Sequence, residues 1–105
     1  MITVRIAPLH IKIDGHARFA KPGKDIVCAG ASALAMTLYL VLKEKREQGW
    51  LAKAVLECDN GNAELYALPH EPYALTTKTL FEAFSGGFCA MAQAYPEYIK
   101  VVALE

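Results

Sequence analysis

Apolar and polar positions alternate with period two at the start of the chain. Ile2, Val4 and Ile6 are separated by Thr3 and Arg5, and beyond Pro8 the residues Leu9, Ile11 and Ile13 alternate with His10, Lys12 and Asp14. Both runs have the period of half-buried strands. Residues Ala17 to Lys24 show no periodicity, contain Pro22 and Gly23, and read as a loop. From Ile26 to Gln48 the spacing becomes helical, with Leu34, Leu38, Val41 and Leu42 at core spacing and a polar tail, Lys43 to Gln48, closed by Gly49. Basic residues in that tail suit the negative end of a helix dipole. The first half of the helix is small and apolar on nearly every side, which predicts that it is partly sunk in the core and partly covered by a second subunit.

Leu51 to Cys58 and Asn62 to Leu68 are two further strand-like runs. Asp59-Asn60-Gly61 between them is a strong hairpin signal, because Asn-Gly tolerates the positive φ angles of a type I′ turn. A second helix is predicted from Thr76 or Thr77, either of which can cap it, through Leu80, Phe84, Phe88, Met91 and Tyr95 until Pro96 stops it. Gly86-Gly87 inside it lower helix stability and imply close packing. Alternation returns from Tyr98 to Leu104. The order is β-β-α-β-β-α-β, an α+β sandwich with two helices on a mixed, mainly antiparallel sheet.

A length of 105 residues suits one domain, 1–105, and 54% hydrophobic with 21% charged residues is the composition of a chain that folds around a core. Eleven basic residues offset eleven acidic ones, which leaves no electrostatic footprint for a phosphate backbone or an anionic lipid surface. Direct nucleic-acid binding is therefore not expected. Cys28, Cys58 and Cys89 are odd in number and lack C-x-x-C spacing, so neither a disulfide framework nor a structural zinc site is suggested and a reducing cytoplasm fits best. The apolar stretch Ile26 to Leu42 is interrupted by Ser32 and Thr37 and is shorter than the roughly 20 residues that span a bilayer. No membrane anchoring or export is expected.

The chemistry-bearing segment is Ile13-Asp14-Gly15-His16-Ala17 followed, after the loop, by Asp25-Ile26-Val27-Cys28-Ala29-Gly30-Ala31-Ser32. It puts a histidine at a strand end and a cysteine at a helix start. A thiol attacks as its thiolate, a form that a helix N-terminus beside an imidazole favours. With Asp25 as N-cap, Cys28 stands at the third helical position, near backbone N–H groups that could also hold an oxyanion. Gly15 would allow close backbone approach beside His16, and Ala29, Gly30 and Ala31 would leave room above the sulfur. The plainer readings are an inert core cysteine and a surface histidine on the strand face of His10, Lys12 and Asp14.

Gly15-His16-Ala17, then Gly23-Lys24-Asp25-Ile26-Val27-Cys28-Ala29 and Ser32-Ala33-Leu34, resemble the signature of the ribosomal-processing cysteine protease family, Prp. A weaker similarity extends to Gly86-Gly87 and to Tyr95-Pro96-Glu97-Tyr98-Ile99. The resemblance implies a cytoplasmic homodimeric endopeptidase that removes a short N-terminal extension, hydrophobic and aromatic in part, from the precursor of a large-subunit ribosomal protein. It places the nucleophile on Cys28, the general base on His16, and a substrate-ordered loop over Ala17 to Lys24. No cofactor or metal is implied. The chain departs from the usual family form at Ala29-Gly30-Ala31, Arg18-Phe19 and Lys21-Pro22, which bears on substrate preference. A phage-encoded relative processing a virion protein, or a non-catalytic module that binds a peptide or the ribosome on the same scaffold, are the alternatives.

A third, orienting residue stays open between Asp14, on the strand face of His16, and Asp25, one turn before Cys28. Either also reads as structural. Ser32, one turn after Cys28, could donate to the sulfur or simply lie on the helix surface. Cys58 and Cys89 read as packing residues, His70 as a loop residue, Trp50 as a fold residue, and Phe81, Phe84 and Phe88 as a core stripe that could also line a peptide groove. His10, His16 and Cys28 are all metal-ligand types without structural-zinc spacing.

Overall fold

The computed structural model describes residues 1–21 and 24–105. Along the chain run β1 (Ile2–Ala7), β2 (His10–Asp14), α1 (Ile26–Glu47), β3 (Leu51–Asp59), β4 (Asn62–Pro69), α2 (Ala74–Ala94) and β5 (Ile99–Ala103). The strands form one sheet in the order β3-β4-β2-β1-β5. Among the described residues only β1 and β5 pair in parallel, and the other neighbours are antiparallel. The architecture is the α+β, mixed and mainly antiparallel sheet that the periodicity predicts, with both helices in place.

Each period of the sequence has a packing consequence. In β1 and β2 the alternate residues Ile2, Val4, Ile11 and Ile13 are buried. Along α1 the buried residues Val27, Ala31, Ala35, Leu38 and Leu42 recur every three or four positions, which makes one stripe facing the sheet. On its other side Ile26, Met36 and Leu40 are more than half exposed, at 56%, 54% and 57%. The helix is thus half sunk and half uncovered. At 22 residues it is long and apolar enough to cross a bilayer by length and composition, yet its buried stripe belongs to the core that the sheet and α2 complete. Phe81 and Phe88 bring α2 into that core, whereas Phe84 is only partly buried.

Gly87 bears out the expected close packing of the helices, since a Cβ there would lie 3.1 Å from Leu34 Cδ2. Gly86 contributes nothing of the kind, because a Cβ would meet no atom within 4 Å. Gly30 faces α2 as well, with Met91 Cε 3.0 Å from the position a Cβ would take. The glycine expected to open space above Cys28 instead lets the helices approach.

Two local expectations are corrected. The second helix begins at Ala74 rather than at Thr76 or Thr77, has Tyr73 as an N-cap with no side-chain hydrogen bond, and follows directly from a 3-10 turn at Glu71–Tyr73. Pro72, near the start of that turn, suits a helical N-terminus, so the chain is already helical before the threonines, and Thr77 is buried within α2. At the hairpin, Asp59 pairs with Asn62 as expected. Gly61 has φ +78°, but Asn60 is not among the residues of positive φ. A type I′ turn needs both, so this is the φ pattern of a type II turn. The Gly61 carbonyl accepts a hydrogen bond from the Gly15 N–H at 3.0 Å, a contact from outside the hairpin that local propensity does not weigh. Pro22 and Gly23 of the predicted loop lie outside the described residues.

Phe88 is fully buried and its neighbour Cys89 is exposed. Phe88→Ala is expected to cost about 3–5 kcal/mol in urea unfolding, and Cys89→Ala to stay within about 0.5 kcal/mol of wild type. Equal losses would contradict the packing described.

Candidate active site

Asp25 organises the start of α1. It is the N-cap, as its position predicts, and its Oδ1 accepts the Cys28 N–H at 2.9 Å. Oδ2 accepts the N–H groups of Phe19 at 2.9 Å and Ala20 at 3.4 Å. The Cys28 N–H holds the Asp25 carboxyl below its ordinary value of 3.8, with partial desolvation opposing and the Ala20 and Phe19 N–H groups reinforcing. One carboxylate therefore fixes the helix start and the loop ahead of it.

Cys28 is half-buried. Its sulfur accepts a hydrogen bond from the Ala17 N–H at 3.3 Å. Of the helix-start donors, Cys28 N–H is taken by Asp25 Oδ1, and Ala29 N–H makes the first bond of the helix ladder, to the Asp25 carbonyl at 3.0 Å. The N–H that faces the sulfur comes from the segment that carries His16.

His16 does not continue the strand face of His10, Lys12 and Asp14. Strand β2 ends at Asp14, and Gly15 turns the chain at φ +101°. A Cβ at Gly15 would collide with the Met1 carbonyl oxygen, so this turn requires glycine. The exposed His16 imidazole then lies over the hairpin, with Nε2 only 2.5 Å and Cε1 2.7 Å from where a Cβ on Gly61 would stand. No hydrogen bond joins the imidazole to Cys28 Sγ among the described residues. Both side chains line one cavity of about 470 Å³, together with Ser32, Asp59, Asn60 and Asn62.

The other sequence candidates divide. Asp14 is engaged by Arg5, whose Nη1 lies 2.6 Å from Oδ2, which commits it to the sheet. Ser32 is exposed and lines the cavity. His10 sits at the opposite end of β2, with Nε2 2.9 Å from Glu64 Oε2, so His10, His16 and Cys28 do not converge on a metal. His70 donates its backbone N–H to the Trp50 carbonyl at 2.8 Å. Trp50 stacks on Tyr73 with centroids 4.5 Å apart and carries Lys45 Nζ 4.5 Å above its ring. That contact explains both the tryptophan and part of the basic helix tail.

Cys89 is exposed rather than a packing residue. Cys58 is half-buried and lines the cavity with Cys28; burial first, and then the Asp59 charge, push its thiol above the ordinary value of 9.0. Asn60, Gly61 and Asn62 were not singled out for the site by sequence reasoning. Their place follows from the sheet register, since Asp14 pairs with Asn62, which sets the hairpin tip beside the residues that follow β2.

The family model described as cysteine protease Prp matches residues 1–100. An essential ribosomal processing protease Prp from S. aureus, solved with a covalently linked product peptide, is similar at 21% identity and TM-score 0.76, covering 99% of this chain and 100% of that one. SMU.848 from Streptococcus mutans is similar at 25% identity and TM-score 0.67, covering 99% of this chain and 94% of the other. The S. aureus protease with a substrate peptide is similar at 17% identity and TM-score 0.67, over 98% and 97% of the two chains. No curated protein matches.

A carboxyl held below its ordinary value contributes stability that is complete above 3.8 and is lost as pH falls through the lower folded value. Asp25→Ala is therefore expected to lower the urea midpoint at neutral pH, and its difference from wild type should shrink as the medium is acidified towards about pH 2. A difference independent of pH would show that the carboxylate charge is not what stabilises this corner.

Proposed function

The chain belongs to the Prp family of cysteine proteases, and from that membership we propose that it removes a short N-terminal extension from the precursor of a large-subunit ribosomal protein, with Cys28 as nucleophile and His16 as general base. The single observation that carries this reading is the shared cavity. It brings an imidazole from the exit of β2 and a thiol from the first turn of α1 to one solvent-accessible space. The substrate class is carried over from the similar S. aureus protein, described as a ribosomal processing protease.

His16 accepts the proton of the Cys28 thiol, and the sulfur attacks the scissile carbonyl carbon to form a tetrahedral intermediate. His16 returns the proton to the departing amine as the carbon–nitrogen bond breaks. Water then attacks the thioester, giving the carboxylate product and the free thiol. The Ala17 N–H, from the segment that carries His16, orients the sulfur, and the Asp25 cap fixes the turn on which Cys28 stands. Asp25 is thus a positioning residue. Ser32 reaches the same cavity one turn further along α1.

The uncovered stripe of α1, with Ile26, Met36 and Leu40, supports a homodimer closed by this helix, since apolar contacts of that kind favour a covering subunit. All three cysteines are free, which supports a cytoplasmic setting.

Peptides from N-terminal extensions of ribosomal and virion precursors provide the test. Wild type is expected to cut a ribosomal extension, Cys28→Ala and Cys28→Ser to cut nothing, and His16→Ala to lose roughly 100- to 10,000-fold in rate. Cleavage of a virion peptide alone would reassign the substrate, and binding without cleavage would leave a non-catalytic module. For the dimer, Met36→Glu with Leu40→Glu should halve the mass seen by analytical ultracentrifugation. A wild type that already sediments as a monomer would refute the assembly.

A further inference from the structure

Gly61 stands at the tip of the β3–β4 hairpin, far in sequence from both proposed catalytic residues. Two independent observations tie it to His16. Its carbonyl accepts the Gly15 N–H at 3.0 Å, which locks the segment leading into His16 onto the turn. Its missing side chain is also the space that the imidazole occupies, since a Cβ there would lie 2.5 Å from Nε2 and 2.7 Å from Cε1. Contacts that short are repulsive, and Nε2 belongs to a rigid ring held on only two torsions. Any residue other than glycine must displace the imidazole or the turn.

We propose that Gly61 is a positioning residue of the protease, a side-chain-free seat that holds the His16 imidazole at the mouth of the Cys28 cavity. This inference rests on the reading of His16 as the general base. An exposed histidine beyond a strand end would otherwise sample several rotamers, and most of them would carry its nitrogens away from the cavity. The seat restricts that freedom before substrate arrives, which is how positioning contributes to rate. The requirement is separate from the turn's own need for positive φ, because Gly49 has almost the same φ, +81°, and a Cβ there would meet nothing within 4 Å.

That contrast supplies the control. Asparagine tolerates the left-handed region better than most residues, so Gly61→Asn and Gly49→Asn impose a similar backbone demand, and only the first places a Cβ against the imidazole. Gly61→Asn is expected to lower kcat about 10- to 100-fold, with KM little changed and the pH profile of kcat/KM displaced. Gly49→Asn should keep wild-type kinetics. The ring-proton signals of the three histidines, assigned with His16→Ala, give a readout that does not need turnover. The His16 signal and its titration are expected to move in Gly61→Asn and to stay in place in Gly49→Asn.

An unmoved His16 signal in folded Gly61→Asn would overturn the seat. Equal kinetic losses in the two variants would overturn it too, by assigning the effect to the backbone. Should Gly61→Asn not fold, Gly61→Ala still places a Cβ against the imidazole with no further side chain, and the same His16 titration decides. If wild type cleaves no peptide, the protease reading falls, and the His16 titration still decides whether Gly61 holds the ring.

Discussion

The Asp25 carboxylate is the contact on which the site depends. Its two oxygens serve two different parts of the chain: one satisfies a helix-start N–H that would otherwise lack an intrahelical partner, and the other gathers the Phe19 and Ala20 N–H groups from the preceding loop. Because the capped N–H is that of Cys28 itself, the position of the thiol and the path of the loop are set by the same group. Phe19 then packs edge-on against Tyr98, with ring centroids 5.0 Å apart, and against Tyr95 at 5.8 Å. Phe19 and Ala20, between the proposed base and nucleophile, are thereby tied to the start of α1, and Phe19 also to the connection between α2 and β5.

The sheet supplies the other half of the arrangement through register. Asp14 pairs with Asn62 and also with Thr3, while Asp59 pairs with Asn62. The exit of β2, the entry of β4 and the end of β3 consequently lie at one end of the sheet. Residues from these ends gather there without needing to be close in sequence. Gly15 and Gly61 are the two positions where this crowding reaches the backbone, and both have positive φ. The same register sends His10 to the other end of β2, where it meets Glu64 and packs its ring edge-on to Tyr66 at 5.4 Å.

What could be read from the sequence was what local periodicity and capping determine. The strands, the span of α1, its Asp25 cap and the pairing of the hairpin all follow from residues within a few positions of one another. The features that were misread depend on distant partners. His16 leaves the face assigned to it because Gly15 must fit beside Met1. Asn60 avoids positive φ in a turn whose Gly61 carbonyl is taken by the Gly15 N–H, just beyond β2. Among the helix-start N–H groups, that of Cys28 is committed to the Asp25 carboxylate, so it serves the cap rather than an oxyanion. Asp14 is set apart from Asp25 by Arg5, a residue of the neighbouring strand that no local pattern pairs with it. Pairing of Cys28 with His16 as candidates came from the motif and its family resemblance rather than from periodicity.

The walls of the cavity differ in chemistry in a way that suits a peptide. Ile2, Ile13, Ala31 and Ala35 form an apolar floor, and Asp59, Asn60 and Asn62 bring polar groups from the hairpin. An extended peptide presents the complementary pattern, apolar side chains along a backbone of donors and acceptors. Met36 belongs to two surfaces at once, since it lines this cavity and is 54% exposed on the uncovered stripe of α1. A subunit covering that stripe would press on Met36, an unbranched side chain that adapts readily to its surroundings. Under the proposed dimer, assembly would therefore shape a wall of the substrate cavity, and the apolar half of α1 would serve the core, the subunit contact and the site together.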